Sequence, residues 1–269
     1  MIIKKVIIVF RNIVYDFLKV IPKKRFDTGK TSQYRYNSEI FFIDKSKKKL
    51  LADRYTKKIE GYWKEQKDYS LSEHFMGRFV KQYELVFERF LPRLLRNAVV
   101  ADIGCAGGEW SFKILPYVAE VDGFEYSMQM VETAKKKAYK EGMNNIFFEC
   151  ADARELRLES KYNAVMVLGI LMYMDNLDDI YKILANIYDG MKPGAYMVTK
   201  DTLNCENRDV LYLFDKRNGY EGNYWSKERY YEQFKKAGFV LIDELLMDEV
   251  KTRHLHFIAQ GAVWQKPIK

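Results

Sequence analysis

The sequence runs to 269 residues, 48% hydrophobic and 30% charged, a globular composition that excludes a disordered or fibrous chain. Lysine and arginine total 45 against 37 aspartate and glutamate, but the excess is local: residues 1–60 carry 16 basic and 6 acidic side chains, which leaves 29 against 31 beyond them. A near-neutral body behind a basic front end argues against a long basic nucleic-acid groove. It points to an N-terminal element that meets a membrane surface, an anionic substrate or a partner.

Residues 1–21 break an apolar pattern with Lys5, Arg11, Asp16 and Lys19. The stretch is therefore too short to span a bilayer, which takes about 20 mostly apolar residues, and it lacks a signal-peptide cleavage site. Its polar positions recur near helical spacing and leave a wide apolar face. Packing on its own domain or on a second subunit is the simpler outcome; peripheral attachment to an anionic membrane is the alternative. Residues 1–70 are expected as a basic helical extension or cap, with linker and helix over 22–70, ahead of a domain spanning 71–269.

Between Leu71 and Pro92 the apolar residues Phe75, Phe79, Tyr83, Val86, Phe87 and Phe90 follow a helical period. Strand-like and helix-like segments then alternate. Strands are expected over 98–103, 121–125, 145–150, 162–168 and 195–200, and helices over 109–117, 128–141 (capped by Ser127), 178–191 and 227–237. Two strands, near 239–246 and 254–264, close the chain without a helix between them. This predicts an α/β doubly wound, mostly parallel seven-stranded sheet whose last, inserted strand runs antiparallel. Residues 202–225 read as a lid insertion.

Ligands of open parallel sheets sit beyond the carboxyl ends of the strands. The first strand-to-helix turn reads Asp102-Ile103-Gly104-Cys105-Ala106-Gly107-Gly108, and its glycines let a backbone approach a ligand closely. Asp102 repels a pyrophosphate and attracts a cation. Glu125 ends the second strand, where a carboxylate can accept from ribose hydroxyls, and Asp152 follows the third, within reach of an adenine amino group. Three successive strand ends thus carry a carboxylate. Cys105, Cys150 and Cys205 are odd in number and widely spaced, so they form neither a disulfide framework nor a zinc site, and no metal is expected. A reducing cytoplasm is the default compartment.

From about Ala98 to Trp264 the chain resembles the class I S-adenosylmethionine-dependent methyltransferases, whose Asp-x-Gly-x-Gly-x-Gly loop is matched from Asp102 to Gly108. Ala106 replaces the middle glycine, a mild departure unless that position needs a positive φ. The resemblance implies that Gly104, Ala106 and Gly107 line the methionine moiety of S-adenosylmethionine. It places Glu125 on the ribose, Tyr126 or Met130 beside the adenine, and Asp152 with Ala153 at the adenine edge. Gly169 falls at the end of the fourth strand, where methyl transfer occurs in this family.

Transfer from a sulfonium disperses charge, so tight positioning in weakly polar surroundings suits it. Tyr173 is the substrate neighbour expected from that strand end. If the acceptor must lose a proton, His74 and Asp201 are the candidate bases; His74 falls on the helix before the first strand, and N-terminal helices cover the site in small-molecule members of the family. His254 and His256 share one strand face and read as structural. No Asn/Asp-Pro-Pro-aromatic tetrapeptide and no Pro-Cys pair is present, which disfavours nucleic-acid bases as acceptors. The expectation is methyl transfer to oxygen of a small polar or anionic acceptor such as a sugar or phosphorylated group of a bacterial surface glycan. An RNA methyltransferase and a non-catalytic S-adenosylmethionine-binding module are the alternatives.

Overall fold

The computed structural model describes residues 21–22, 41–44, 76–206, 210–214, 220–251 and 256–268. Strands β1 (Ile21–Pro22) and β2 (Phe41–Asp44) come from the N-terminal extension, where linker and helix were expected. Helix α1 (Met76–Tyr83) continues as a π-helical stretch over Glu84–Phe90 and ends in a 3₁₀ turn at Leu91–Arg93. The widened turns have a sequence reason. Leu85 and Phe90, both fully buried, stand five residues apart, and i→i+5 geometry brings such positions onto one face.

The alternation then unfolds as β3 (Val99–Ile103), α2 (Glu109–Ile114), β4 (Glu120–Glu125), α3 (Met128–Lys140), β5 (Ile146–Cys150), β6 (Tyr162–Leu168), α4 (Leu177–Gly190) and β7 (Met191–Asn204). It closes with β8 (Val210–Phe214), β9 (Tyr220–Tyr224), α5 (Lys227–Ala237), β10 (Val240–Lys251) and β11 (His256–Gln265). Ser127 caps α3 as expected, its hydroxyl accepting from the Met130 amide at 3.4 Å. Helix α2 is shorter than expected because Pro116 turns its last residues, Leu115–Tyr117, into a 3₁₀ turn. Strand β7 begins at Met191, four residues before the expected start at 195, because Lys192-Pro193-Gly194 continues the strand through a register shift instead of looping out.

The main sheet has seven strands in the order β10-β11-β7-β6-β3-β4-β5. The ladders β7-β6-β3-β4-β5 are parallel, and β11 pairs antiparallel with both β7 and β10. That is the doubly wound sheet with an inserted antiparallel strand which the two terminal strands predicted. Both faces are covered, so β3 and β6 are apolar on both sides. Val100, Met166 and Val198 pack with Leu85, Phe90 and Val263 on one face; Ala101, Val165, Val167 and Met197 pack with Ile180, Ile183 and Phe234 on the other.

A second, antiparallel sheet has the order β1-β2-β8-β9. Phe41 of β2 pairs with Leu213 of β8, and Leu213 pairs with Glu221 of β9. The insertion expected over 202–225 is therefore a hairpin that takes its next strand from the N-terminal extension. The first 20 residues and the histidines His74 and His254 lie outside the described residues.

Trp264 anchors the face covered by α5. Its ring stacks on Phe234 at 4.2 Å, meets Tyr231 edge-on at 5.0 Å, and its Nε1 donates to Thr199 Oγ1 at 3.0 Å. Trp264→Ala should lower the unfolding free energy by about 3–5 kcal/mol in urea titration; a loss below about 1 kcal/mol would show that this face does not carry the sheet.

Candidate cofactor site

The turn after β3 is held from below by β4. The amides of Gly104 and Cys105 both donate to the Phe124 carbonyl, at 2.7 and 3.1 Å, and Gly108 closes the turn on the Cys105 carbonyl at 2.8 Å. Gly104 and Gly108 have φ of +74° and +81°. A methyl group on Gly104 would collide with Ile170, and one on Gly108 would stand 2.8 Å from Phe148. Gly107 differs: its φ lies outside the left-handed range and nothing occupies the space within 4 Å of where a Cβ would stand. No neighbour in the fold demands glycine there, and the space beside it is open.

Ala106 has φ +48°, alone among the described non-glycine residues in being positive. The substitution is therefore not mild, since a left-handed alanine costs about 1 kcal/mol or more. Glu125 holds it there. The Ala106 amide donates to Glu125 Oε2 at 3.0 Å and the Ser127 amide to Oε1 at 2.8 Å. Burial raises the Glu125 pKa, and the backbone amides of Ser127 and Ala106 pull against that rise. Each of its oxygens keeps a second lone pair, so the residue can still accept from a ribose.

Asp102 is 2% exposed and takes a 2.6 Å hydrogen bond from the Ser111 hydroxyl on α2. Burial pushes its pKa up to about 7, with the Glu125 charge acting in the same direction. Burial thus opposes the charge by which Asp102 was expected to attract a cation. Near neutrality Asp102 is only partly ionised, and it fastens α2 to β3. Asp152 also differs in circumstance. Arg154 grips it through Nη2 at 2.5 Å and Nε at 3.0 Å, while the Arg154 amide donates to Oδ1 at 2.9 Å. An adenine amino group would share this carboxylate with a guanidinium. Tyr126 and Ala153 are half-buried at the same strand ends, and Met130 is buried beneath the α3 cap.

At the end of β6, Gly169 has φ +86° and Ile170 fills the space against Gly104. Residues Leu171–Tyr173 form a 3₁₀ turn. Tyr173 is half-buried on this turn. Asp201 is 2% exposed, and both its oxygens are taken, Oδ1 by the Met172 amide at 3.1 Å and Oδ2 by the Tyr230 hydroxyl at 2.7 Å. Burial raises its pKa to about 7. Through those two bonds Asp201 ties the turn after β6 to Tyr230 of α5. Ser111, Arg154 and Ile170 were not singled out by sequence reasoning. Only Arg154 gave a signal, a cation two residues beyond an acidic strand end.

Residues 100–194, roughly a third of the chain, match the family described as Methyltransferase domain. Demethylmenaquinone methyltransferase of Lactococcus lactis is 29% identical over 127 residues, 45% of this chain and 50% of that protein. The chain spans about half the length of the first curated relatives it matches. An S-adenosylmethionine-dependent methyltransferase from Methanosarcina mazei superposes with a TM-score of 0.55 at 16% identity, covering 66% of this chain and 96% of that one. The N-methyltransferase NodS of Bradyrhizobium japonicum, crystallised with S-adenosyl-L-homocysteine, gives a TM-score of 0.50 at 11% identity over 71% and 85%. Residues 100–194 thus match a methyltransferase domain, on a fold shared with solved S-adenosylmethionine-dependent methyltransferases. S-Adenosylmethionine is the cofactor of such enzymes, and the open space beside Gly107 with the lone pairs left on Glu125 fits it.

Two expectations separate ligand contacts from fold contacts. Gly104→Ala should destabilise the protein by about 1–3 kcal/mol through its φ and Ile170. Gly107→Ala should leave the melting temperature within a degree or so yet weaken S-adenosylmethionine at least tenfold in calorimetry, about 1.4 kcal/mol. An unchanged affinity would place the cofactor elsewhere. Asp102 supplies a pH test. Its folded pKa of about 7 lies above the unfolded value near 4, so between those values the folded state holds a proton that the unfolded state has lost. Stability should fall as pH rises through that window, by up to about 1.4 kcal/mol per pH unit. Asp102→Asn keeps an acceptor for Ser111 and removes this slope, so its advantage over the parent should grow from pH 5 to pH 7 in urea titrations.

Proposed function

We propose that the chain transfers a methyl group from S-adenosylmethionine to an oxygen of a small polar or anionic acceptor, a sugar or phosphorylated group of a bacterial surface glycan. What carries this reading is the closure of the acceptor side. Asn223 of β9 donates from Nδ2 to the Met174 carbonyl at 2.7 Å. Gly222 packs so closely on the turn after β6 that a Cβ there would stand 2.8 Å from Met172. The small sheet is thereby fastened against the strand end where the acceptor would lie. An enclosed wall at that point suits a small molecule better than a nucleic acid, and the near-neutral body supports the same choice.

The cofactor, when bound, supplies an electrophilic methyl group on a sulfonium. Every other contribution is the chain's own. Glu125 would accept from the ribose and at the same time hold the Ala106 turn in its left-handed form. Gly104 and Gly107 would admit the methionine portion to the backbone. Tyr173 would line the acceptor side, with Asp201 and Tyr230 fixing the turn that presents it. His74 is the base we propose for a hydroxyl acceptor. The apolar face of residues 1–21 would serve a dimer contact or rest peripherally on a membrane in the cytoplasm. Among the described residues no helix is long and apolar enough to cross one.

The test is a mass-shift assay with S-adenosylmethionine and a panel of nucleotide-linked sugars, sugar phosphates and total RNA. Addition of one methyl mass to a sugar or sugar phosphate is expected. Modification of RNA alone, with affinity falling steeply as salt rises, would replace this reading with the RNA alternative.

A further inference from the structure

We infer that Asp201 is a positioning residue whose carboxylate must be ionised for the turn after β6 to present Tyr173 to the acceptor; this rests on the methyl-transfer reading above. Asp201 is 2% exposed, and its two oxygens serve two different elements. Oδ1 accepts from the Met172 amide of the turn at 3.1 Å, and Oδ2 accepts from the Tyr230 hydroxyl of α5 at 2.7 Å. Met172 immediately precedes Tyr173, so this bond sets the backbone from which the tyrosine side chain leaves. A second tie, from the small sheet, is weaker. Asn223 Nδ2 donates to the Met174 carbonyl, but Asn223 Oδ1 is buried and meets no donor among the described residues. The bond gained there is set against an acceptor stripped of water. The hold on the turn therefore falls mainly to the carboxylate.

Both partners are donors, and that makes the link sensitive to a single proton. An ionised carboxylate accepts from the amide and the hydroxyl together through charge-assisted bonds. The amide cannot accept, so an added proton sits on Oδ2, where the Tyr230 hydroxyl stands. That hydroxyl must then accept, and its own hydrogen turns into the apolar layer that Tyr230 shares with Leu203, Trp225 and Phe234. The amide is left with a neutral acceptor and a weaker bond. The surroundings put this change near neutrality. Burial raises the Asp201 pKa to about 7, against the Tyr230 hydrogen bond, the Lys200 charge on the same strand and the Met172 amide. Helix α5 also brings Tyr231, whose hydroxyl donates to Glu244, and β11 brings Gln260, uncharged and paired with Asp201 in register. As pH falls through about 7, Asp201 takes up a proton and the turn loosens.

The experiment labels the methionine methyl groups with carbon-13 and follows Met172 by NMR between about pH 5 and pH 9. This methyl lies against Gly222 of β9 and reports how the turn sits. In the parent its signal should move with a midpoint near 7. Asp201→Asn, which offers Met172 an uncharged acceptor at every pH, should hold the low-pH position throughout. Tyr230→Phe removes a donor to the ionised form and should raise the midpoint by about one pH unit or more. Methyl transfer to a sugar or sugar phosphate of the panel above should follow the same midpoint, and Tyr230→Phe should move it upward, which titration of a separate base would not do. A Met172 signal that titrates alike in all three proteins, or in none, would overturn the inference, as would a transfer midpoint that Tyr230→Phe leaves in place. The expected titrations in a protein that methylates nothing in the panel would uphold the coupling of Asp201 to the turn and overturn the acceptor reading alone. Should Asp201→Asn fail to fold, the Tyr230→Phe comparison decides by itself.

Discussion

The carboxylate of Glu125 is the joint on which the site turns. A buried carboxylate is stable only when its oxygens are hydrogen-bonded, and here the donors include two backbone amides from different loops, Ala106 after β3 and Ser127 before α3. One side chain therefore sets the spacing of two strand ends. It also holds the only non-glycine residue with positive φ among those described, so the strain at Ala106 and the position of Glu125 are one arrangement. The Phe124 carbonyl, accepting from Gly104 and Cys105, completes the same joint from the residue before. A ligand that binds Glu125 meets a turn already shaped for it.

Beyond that joint the sheet supplies precision through register. Parallel pairing of β3 with β4 and β6 puts Ile103, Phe124 and Val167 level with one another, and all the turns that follow emerge on one edge. Ile170 then locks the β6 turn to Gly104, and Asp201 locks the next residues to Tyr230 of α5. The turn after β6 is in this way tied to the turn after β3 and to α5. Preorganisation of that kind is what a displacement reaction draws on, because it needs the reacting atoms held in line more than it needs charged groups at the reacting centre.

Much of this was legible in the sequence. Tyr162–Leu168 and Lys227–Ala237 have the expected bounds, since a continuous apolar run and a helix stopped by glycine are unambiguous signals. The two closing strands disclosed the antiparallel insertion. Three things were not legible. The Ala106 conformation depends on an amide bond to a residue 19 positions away, which no local pattern encodes. The pairing of β2 with β8 joins segments some 170 residues apart, and short strands of that kind leave only weak periodicity. The state of Asp102 depends on burial, which spacing does not report.

That last point changes which residue supplies the sign of the site. A donor bearing a sulfonium was expected to be drawn by three carboxylates. Asp102 titrates near neutrality, and Asp152 is matched by Arg154, so neither presents a full free charge. Glu125 remains: burial raises its pKa, and the backbone amides of Ser127, Ala106 and Tyr126 oppose that rise. Selection against a dinucleotide then does not need a strongly negative cleft. Two of the amides that might have cradled a pyrophosphate are already spent, Gly104 on the Phe124 carbonyl and Ala106 on Glu125. A diphosphate entering this turn would find its donors taken and a carboxylate beside it, whereas a donor whose ribose hydroxyls can give hydrogen bonds finds an acceptor in place.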